Sequence, residues 1–147
     1  MKSFYRAITD EGCKRAEECS RVSYPGQNGD LSGRLSFETA TEAALCSIAT
    51  LKPDWVIGTS FGALVVMGLA RRRFFADALG LVLVGPTTRN GIQRIAPDQA
   101  ARAQIFARYQ KEYDTWLDDK FFMSLPAAEE LIDGVLLPLR MIRGEFD

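Results

Sequence analysis

Ser60 is the residue of this chain whose type and surroundings could do chemistry. It stands in Gly58-Thr59-Ser60-Phe61-Gly62, a G-x-S-x-G pentapeptide with an apolar run on either side. A serine hydroxyl held at a sharp strand-to-helix turn is presented as a nucleophile, in a strained backbone conformation. The N–H groups that follow lie at a helix N-terminus, where partial positive charge favours a developing oxyanion. Phe61 would supply one such backbone donor. Gly58 and Gly62 read as positions where the returning helix leaves no room for a Cβ. The chemistry this serves is acyl transfer: attack on an ester, thioester or amide carbonyl, then hydrolysis of the acyl-serine. One part of that machinery is absent, because the chain contains no histidine. A Ser-His-Asp triad needs an imidazole to take the serine proton near neutral pH and return it to the leaving group. Alone, this chain cannot assemble it. A plain strand–turn–helix with Ser60 as the helix N-cap is the competing reading.

The elements that must position Ser60 are legible on both sides. Trp55-Val56-Ile57-Gly58 reads as a buried strand, and Phe61 to Ala70 is apolar nearly all round, as a central helix is. The run from Trp55 to Ala70 is shorter than the roughly 20 residues needed to cross a bilayer. It is also interrupted by Thr59-Ser60 and two glycines, so Arg71-Arg72-Arg73 reads as a solvent-facing helix end rather than a membrane flank. Before the strand, Ser36 can cap a helix with Phe37, Ala40, Ala44, Leu45, Ile48 and Leu51 on one face, stopped at Lys52-Pro53. Further upstream, Phe4 to Glu18 has helical character and Cys19 to Tyr24 could form a short strand, followed by a turn-rich loop over residues 25–33.

After the elbow helix, Leu79 to Gly85 is a continuous apolar run, the signature of a parallel strand covered on both faces. The loop from Pro86 to Gly91 lies at its carboxyl end, where open parallel sheets carry their sites. Asp98 can cap a long helix whose stripe is Ile105, Phe106, Tyr109, Tyr113, Trp116 and Leu117, with Arg108 and Glu112 paired on another face. Phe121, Phe122 and Met123 extend this surface. It is either core packing or a lid over an acyl or aryl pocket. Pro126 can open a shorter helix, and Leu139 to Arg143 reads as a third strand of the alternating series.

A length of 147 residues suits one domain, 1–147, and 47% apolar with 25% charged residues is an ordinary globular composition. The net charge of −1 offers no basic field for nucleic acid and no polybasic arm for a membrane. The opening residues lack the apolar core of a secretory signal, so a cytoplasmic setting is expected, with Cys13, Cys19 and Cys46 as reduced thiols. Their spacing is not that of metal ligands, and no phosphate-binding glycine loop occurs, so neither metal nor cofactor is expected.

The segment around GTSFG resembles the nucleophile elbow of the α/β-hydrolase superfamily. The resemblance implies an α/β fold with a mostly parallel open sheet of about four strands, flanked by helices, of which this chain looks like a middle portion. It implies a helical lid-like insertion over residues 88–125, Ser60 as nucleophile and Phe61 as oxyanion donor. It also places Asp147, in Gly144-Glu145-Phe146-Asp147, where the family's strand after the lid carries the aspartate that orients the histidine; an exposed terminal aspartate is the alternative. The strand that would lie between Cys19–Tyr24 and Trp55–Gly58 has no counterpart. Arg21–Tyr24 should therefore pair directly with Trp55–Gly58, or else leave an edge able to recruit another copy or a complementing chain. The expected function is that of a serine hydrolase acting on a small acyl substrate, inactive as this chain alone. The alternative is a non-catalytic ligand- or partner-binding module of the same ancestry.

Overall fold

The structure is a computed structural model that describes residues 10–15, 18–27, 30, 33–49, 51–75, 77–133, 135 and 138–142. Its frame is a parallel sheet of three strands: β1 (Trp55–Thr59), β2 (Gly80–Val84) and β3 (Leu139–Ile142), in that spatial order. Ile57 faces Val82 across the first pair, and Leu83 faces Met141 across the second. Parallel neighbours need crossover connections. The first crossover is α2 (Phe61–Arg71). The second runs through α3 (Arg89–Ile95), α4 (Gln99–Tyr113), α5 (Asp119–Ser124) and α6 (Ala128–Ile132). Before β1 comes α1 (Phe37–Ile48), preceded by a helical stretch at residues 10–15.

The expected caps are in place. The Ser36 hydroxyl accepts from the Thr39 N–H at 3.1 Å, and the Thr39 hydroxyl oxygen accepts from the Ser36 N–H at 3.0 Å. Two orphan donors of the first turn of α1 are thereby satisfied. The Asp98 carboxylate accepts from the Ala101 N–H at 2.8 Å and so starts α4. That helix ends sooner than its apolar stripe suggests, because Asp114 turns left-handed at φ 49° and leaves Trp116 and Leu117 beyond it. The loop expected at Pro86–Gly91 is shorter than the sequence suggested. Thr88, whose hydroxyl accepts from the Gly91 N–H at 3.1 Å, caps the additional helix α3.

The core forms around α2, every residue of which from Ala63 to Ala70 is buried. It lies over the face of the sheet that carries Gly58, Leu81 and Leu83, the two leucines being fully buried. α1 covers α2 so closely that a Cβ on Gly68 would meet the Phe37 ring at 2.8 Å. The opposite face of the sheet is more open: Trp55 and Ile57 of β1 and Ile142 of β3 are all exposed. No helix among the described residues is long and apolar enough to cross a membrane.

Two expectations are corrected. The sheet has three strands among the described residues rather than about four, since Arg21–Tyr24 forms no strand and does not pair with β1. That segment is held by side chains instead. Arg21 pairs with Asp10, and Tyr24 packs edge-on against Phe61 with ring centroids 5.8 Å apart. β1 is consequently an edge strand. Its register turns the N–H and C=O groups of Trp55, Ile57 and Thr59 outward, where no backbone bond to a described residue meets them. The second correction concerns the thiols. Cys13 and Cys19 form a disulfide, with their Cα atoms 5.2 Å apart. Cys46 is a free, exposed thiol.

Candidate active site at the β1–α2 elbow

Ser60 sits between the last residue of β1 and the first of α2, at φ 51° and ψ −121°. A non-glycine residue reaches this region only when its surroundings over-determine it, at a cost on the order of 1–3 kcal/mol. Here the surroundings are visible. The Ser60 N–H donates to the Val84 carbonyl at 2.8 Å, and the Ser60 carbonyl accepts from the Ala63 N–H at 3.1 Å and from the Thr87 N–H at 3.4 Å. The turn is thus stitched on one side to the end of β2 and on the other to α2.

Although Ser60 occupies the N-cap position of α2, its side chain makes no capping hydrogen bond. Its Oγ turns instead to Thr87, with 2.9 Å between the two hydroxyl oxygens. A serine serving only as a cap would bond the N–H of the second or third helical residue. Among the described residues no hydrogen bond to a protein group takes up the N–H of Phe61 or of Gly62. They stand at the positive end of an 11-residue helix, and Phe61 and Gly62 line the same cleft as Ser60.

The two elbow glycines do different jobs. A Cβ on Gly58 would lie 2.6 Å from the Ala63 Cα and 2.8 Å from the Gly62 carbonyl oxygen, so the close return of α2 over β1 requires glycine there. At Gly62 the expected crowding against the strand does not occur. The nearest atom to a Cβ there is the Tyr24 hydroxyl oxygen, at 3.4 Å, and the space is otherwise open. Burial raises the Tyr24 phenol to a pKa of about 12.

Residues 88–125 form a helical excursion between β2 and β3 that runs through α3, α4 and α5. Its base is closed by one residue: the Arg89 Nε donates to the Leu125 carbonyl at 2.6 Å, and the Arg89 N–H donates to the Pro126 carbonyl at 3.2 Å. α5 anchors it through buried Phe121 and Phe122, with Phe121 packed 5.2 Å from the Phe61 ring. Arg102 links α4 to α5 by donating to the Asp119 carboxylate at 2.9 Å and lying over the Phe122 ring. α4 itself has no buried residue. Its Ile105, Phe106 and Tyr109 line a broad cleft of about 1740 Å³ that also reaches Ser60, Thr87 and Tyr24. The expected ion pair of Arg108 and Glu112 is present at 2.9 Å, and that carboxylate's hydrogen bond raises the guanidinium pKa further.

Ser60, Phe61, Gly58 and Gly62 therefore meet at one turn facing one cleft, whereas Asp147 lies outside the described residues. Sequence reasoning missed Thr87 and Tyr24. Thr87 was signalled only by its place in the loop at the carboxyl end of β2. Tyr24 looked like a β-forming residue and carried no signal of a site. What this arrangement can do unaided is limited. The chain has no imidazole, and the group touching the Ser60 hydroxyl is another hydroxyl, which cannot act as a base near neutral pH. No family model, no curated protein and no solved structure matches the chain.

Proposed function

We propose that the chain carries the nucleophile segment of a serine hydrolase of the α/β-hydrolase type, with Ser60 attacking a small ester, thioester or other acyl substrate. One observation supports this above the others: Ser60 is held in a strained turn with its hydroxyl in a cleft rather than in a helix cap. The Phe61 N–H would take the oxyanion, and the aromatic face of α4 would cover the acyl group. The chain has no histidine to act as the base, so by itself it is expected to be a slow or inactive catalyst. A complementing polypeptide that carries a histidine could pair along the outward edge of β1 and bring a base with it. Asp147 belongs to this proposal as the group that would orient an incoming histidine.

The second reading is a module that binds an apolar ligand or a partner in the cleft without chemistry. The absence of histidine favours it. A cytoplasmic setting remains part of the proposal, and the Cys13–Cys19 disulfide is the observation that speaks against it.

Fluorophosphonate labelling with free imidazole as a surrogate base separates the two readings. Slow labelling that imidazole accelerates and Ser60→Ala abolishes is the expected result. A protein left unlabelled in imidazole would favour the binding module. Fast labelling without imidazole would show that the chain has a base of its own.

A further inference from the structure

We infer that the Tyr24 hydroxyl is a second hydrogen-bond donor to the oxyanion of an acyl group attacked by Ser60, partnering the Phe61 N–H across the space that Gly62 leaves open. This rests on Ser60 being the nucleophile, and it adds the donor which that reading lacks.

Three observations carry the inference. First, the hydroxyl is aimed at the elbow: its oxygen lies 3.4 Å from where a Cβ on Gly62 would be, over the first turn of α2. The elbow N–H groups left without protein partners lie on that same turn. Second, among the described residues no hydrogen bond reaches this hydroxyl. The bond Tyr24 does make is through its carbonyl, which accepts from the Gln27 N–H at 3.3 Å. A mostly buried phenol usually finds a partner, so one left open to a cleft is placed to donate to what enters it. Third, the ring is fixed. It stands edge-on to Phe61 at 5.8 Å, and Phe61 is in turn packed on Phe121 of α5. The donor is therefore held by packing and needs no reorganisation when charge develops.

The protonation state agrees with the role. Burial keeps the phenol neutral to about pH 12, so it remains an O–H donor throughout the range in which a serine hydrolase works. Gly62 also acquires a reason. With no steric demand from the strand, its missing side chain is what keeps the gap between the Tyr24 hydroxyl and the α2 N-terminus free for an oxygen atom.

The test is the rate of Ser60 labelling by an alkyl fluorophosphonate in imidazole buffer, since the phosphoryl oxygen of the adduct occupies the oxyanion position. Tyr24→Phe keeps the ring and removes only the hydroxyl. It is expected to label at least tenfold more slowly than wild type, with an unchanged circular dichroism spectrum. Gly62→Ala leaves Tyr24 in place and fills the gap, and it should slow labelling similarly. It also carries the test should Tyr24→Phe not fold. Equal rates in wild type and both variants would overturn the role of Tyr24 while leaving Ser60 as nucleophile. Wild type that stays unlabelled, or labelling that survives Ser60→Ala, would overturn the nucleophile reading and the inference with it.

Discussion

The Ser60 and Thr87 hydroxyl oxygens lie 2.9 Å apart, joining the turn after β1 to the loop after β2. Thr87 thus occupies a place from which a base could serve the nucleophile. Thr87→His is expected to raise fluorophosphonate labelling of Ser60 at least tenfold, with a pH midpoint between about 6 and 7 set by the imidazole. Thr87→Val, which removes the partner without adding a base, should cost about 1 kcal/mol in a urea titration and bring no gain in labelling.

Gly58 and Gly62 should respond differently to the same substitution. Gly58→Ala forces a methyl group into backbone atoms of α2 at 2.6–2.8 Å, which neither strand nor helix can relieve by a side-chain movement. A loss of at least ~2 kcal/mol is expected, read as a lower midpoint of chemical denaturation. Gly62→Ala meets only a hydroxyl at ordinary contact distance, and alanine has the higher helix propensity. Its midpoint should be unchanged or higher.

The sequence made the elbow legible because strand, turn and helix there are local features, and Ser36 and Asp98 announced α1 and α4 by the same local logic. Interactions between distant segments escaped it. Nothing in Tyr24 or Thr87 alone says that they converge on Ser60, since that depends on how the loop after β2 and the segment before α1 fold back. Arg21–Tyr24 has the residues of a strand, but strand formation needs a neighbour. Side-chain ties to Asp10 and Phe61 supply its contacts instead. The end of α4 was misjudged because the aromatic stripe continues past Asp114 while the backbone does not.

Arg89 should be the residue on which the 88–125 excursion depends. Its guanidinium donates to the carbonyls of Leu125 and Met123, at 2.6 and 3.3 Å. Arg89→Ala is expected to cost about 1–3 kcal/mol through those lost charge-assisted bonds. Limited proteolysis should then cut faster between residues 96 and 118. Arg89→Lys should restore only part of the resistance, because one ammonium cannot reproduce the fork.

Tyr24 predicts a pH dependence whose sign is fixed. Its phenol is raised from an ordinary 10 to about 12 by burial, so the folded protein holds a proton that the unfolded chain releases between those values. The contribution is fully present below pH 10 and declines as pH rises toward 12. Ultraviolet titration near 295 nm should show a transition at about pH 12 in wild type that Tyr24→Phe lacks. The stability difference between wild type and Tyr24→Phe should be constant below pH 10 and shift against wild type above it.

Thiol counting checks the disulfide. A thiol reagent should find one reactive group, Cys46, in the unreduced protein and three after reduction and unfolding. With Cys13 and Cys19 at a sequence separation of 6, reduction should lower stability by roughly 2 kcal/mol.

Because Arg89 fastens the start of the 88–125 excursion to its finish, that stretch enters and leaves the fold at almost one point. Within it, α4 has no buried residue, so that helix can be lengthened, shortened or exchanged while Phe121 of α5 stays packed on Phe61 beside Ser60. Replacing α4 while keeping Phe121 and Phe122 of α5 is therefore the natural route to retargeting the cleft, with the turn left as an unchanged chassis.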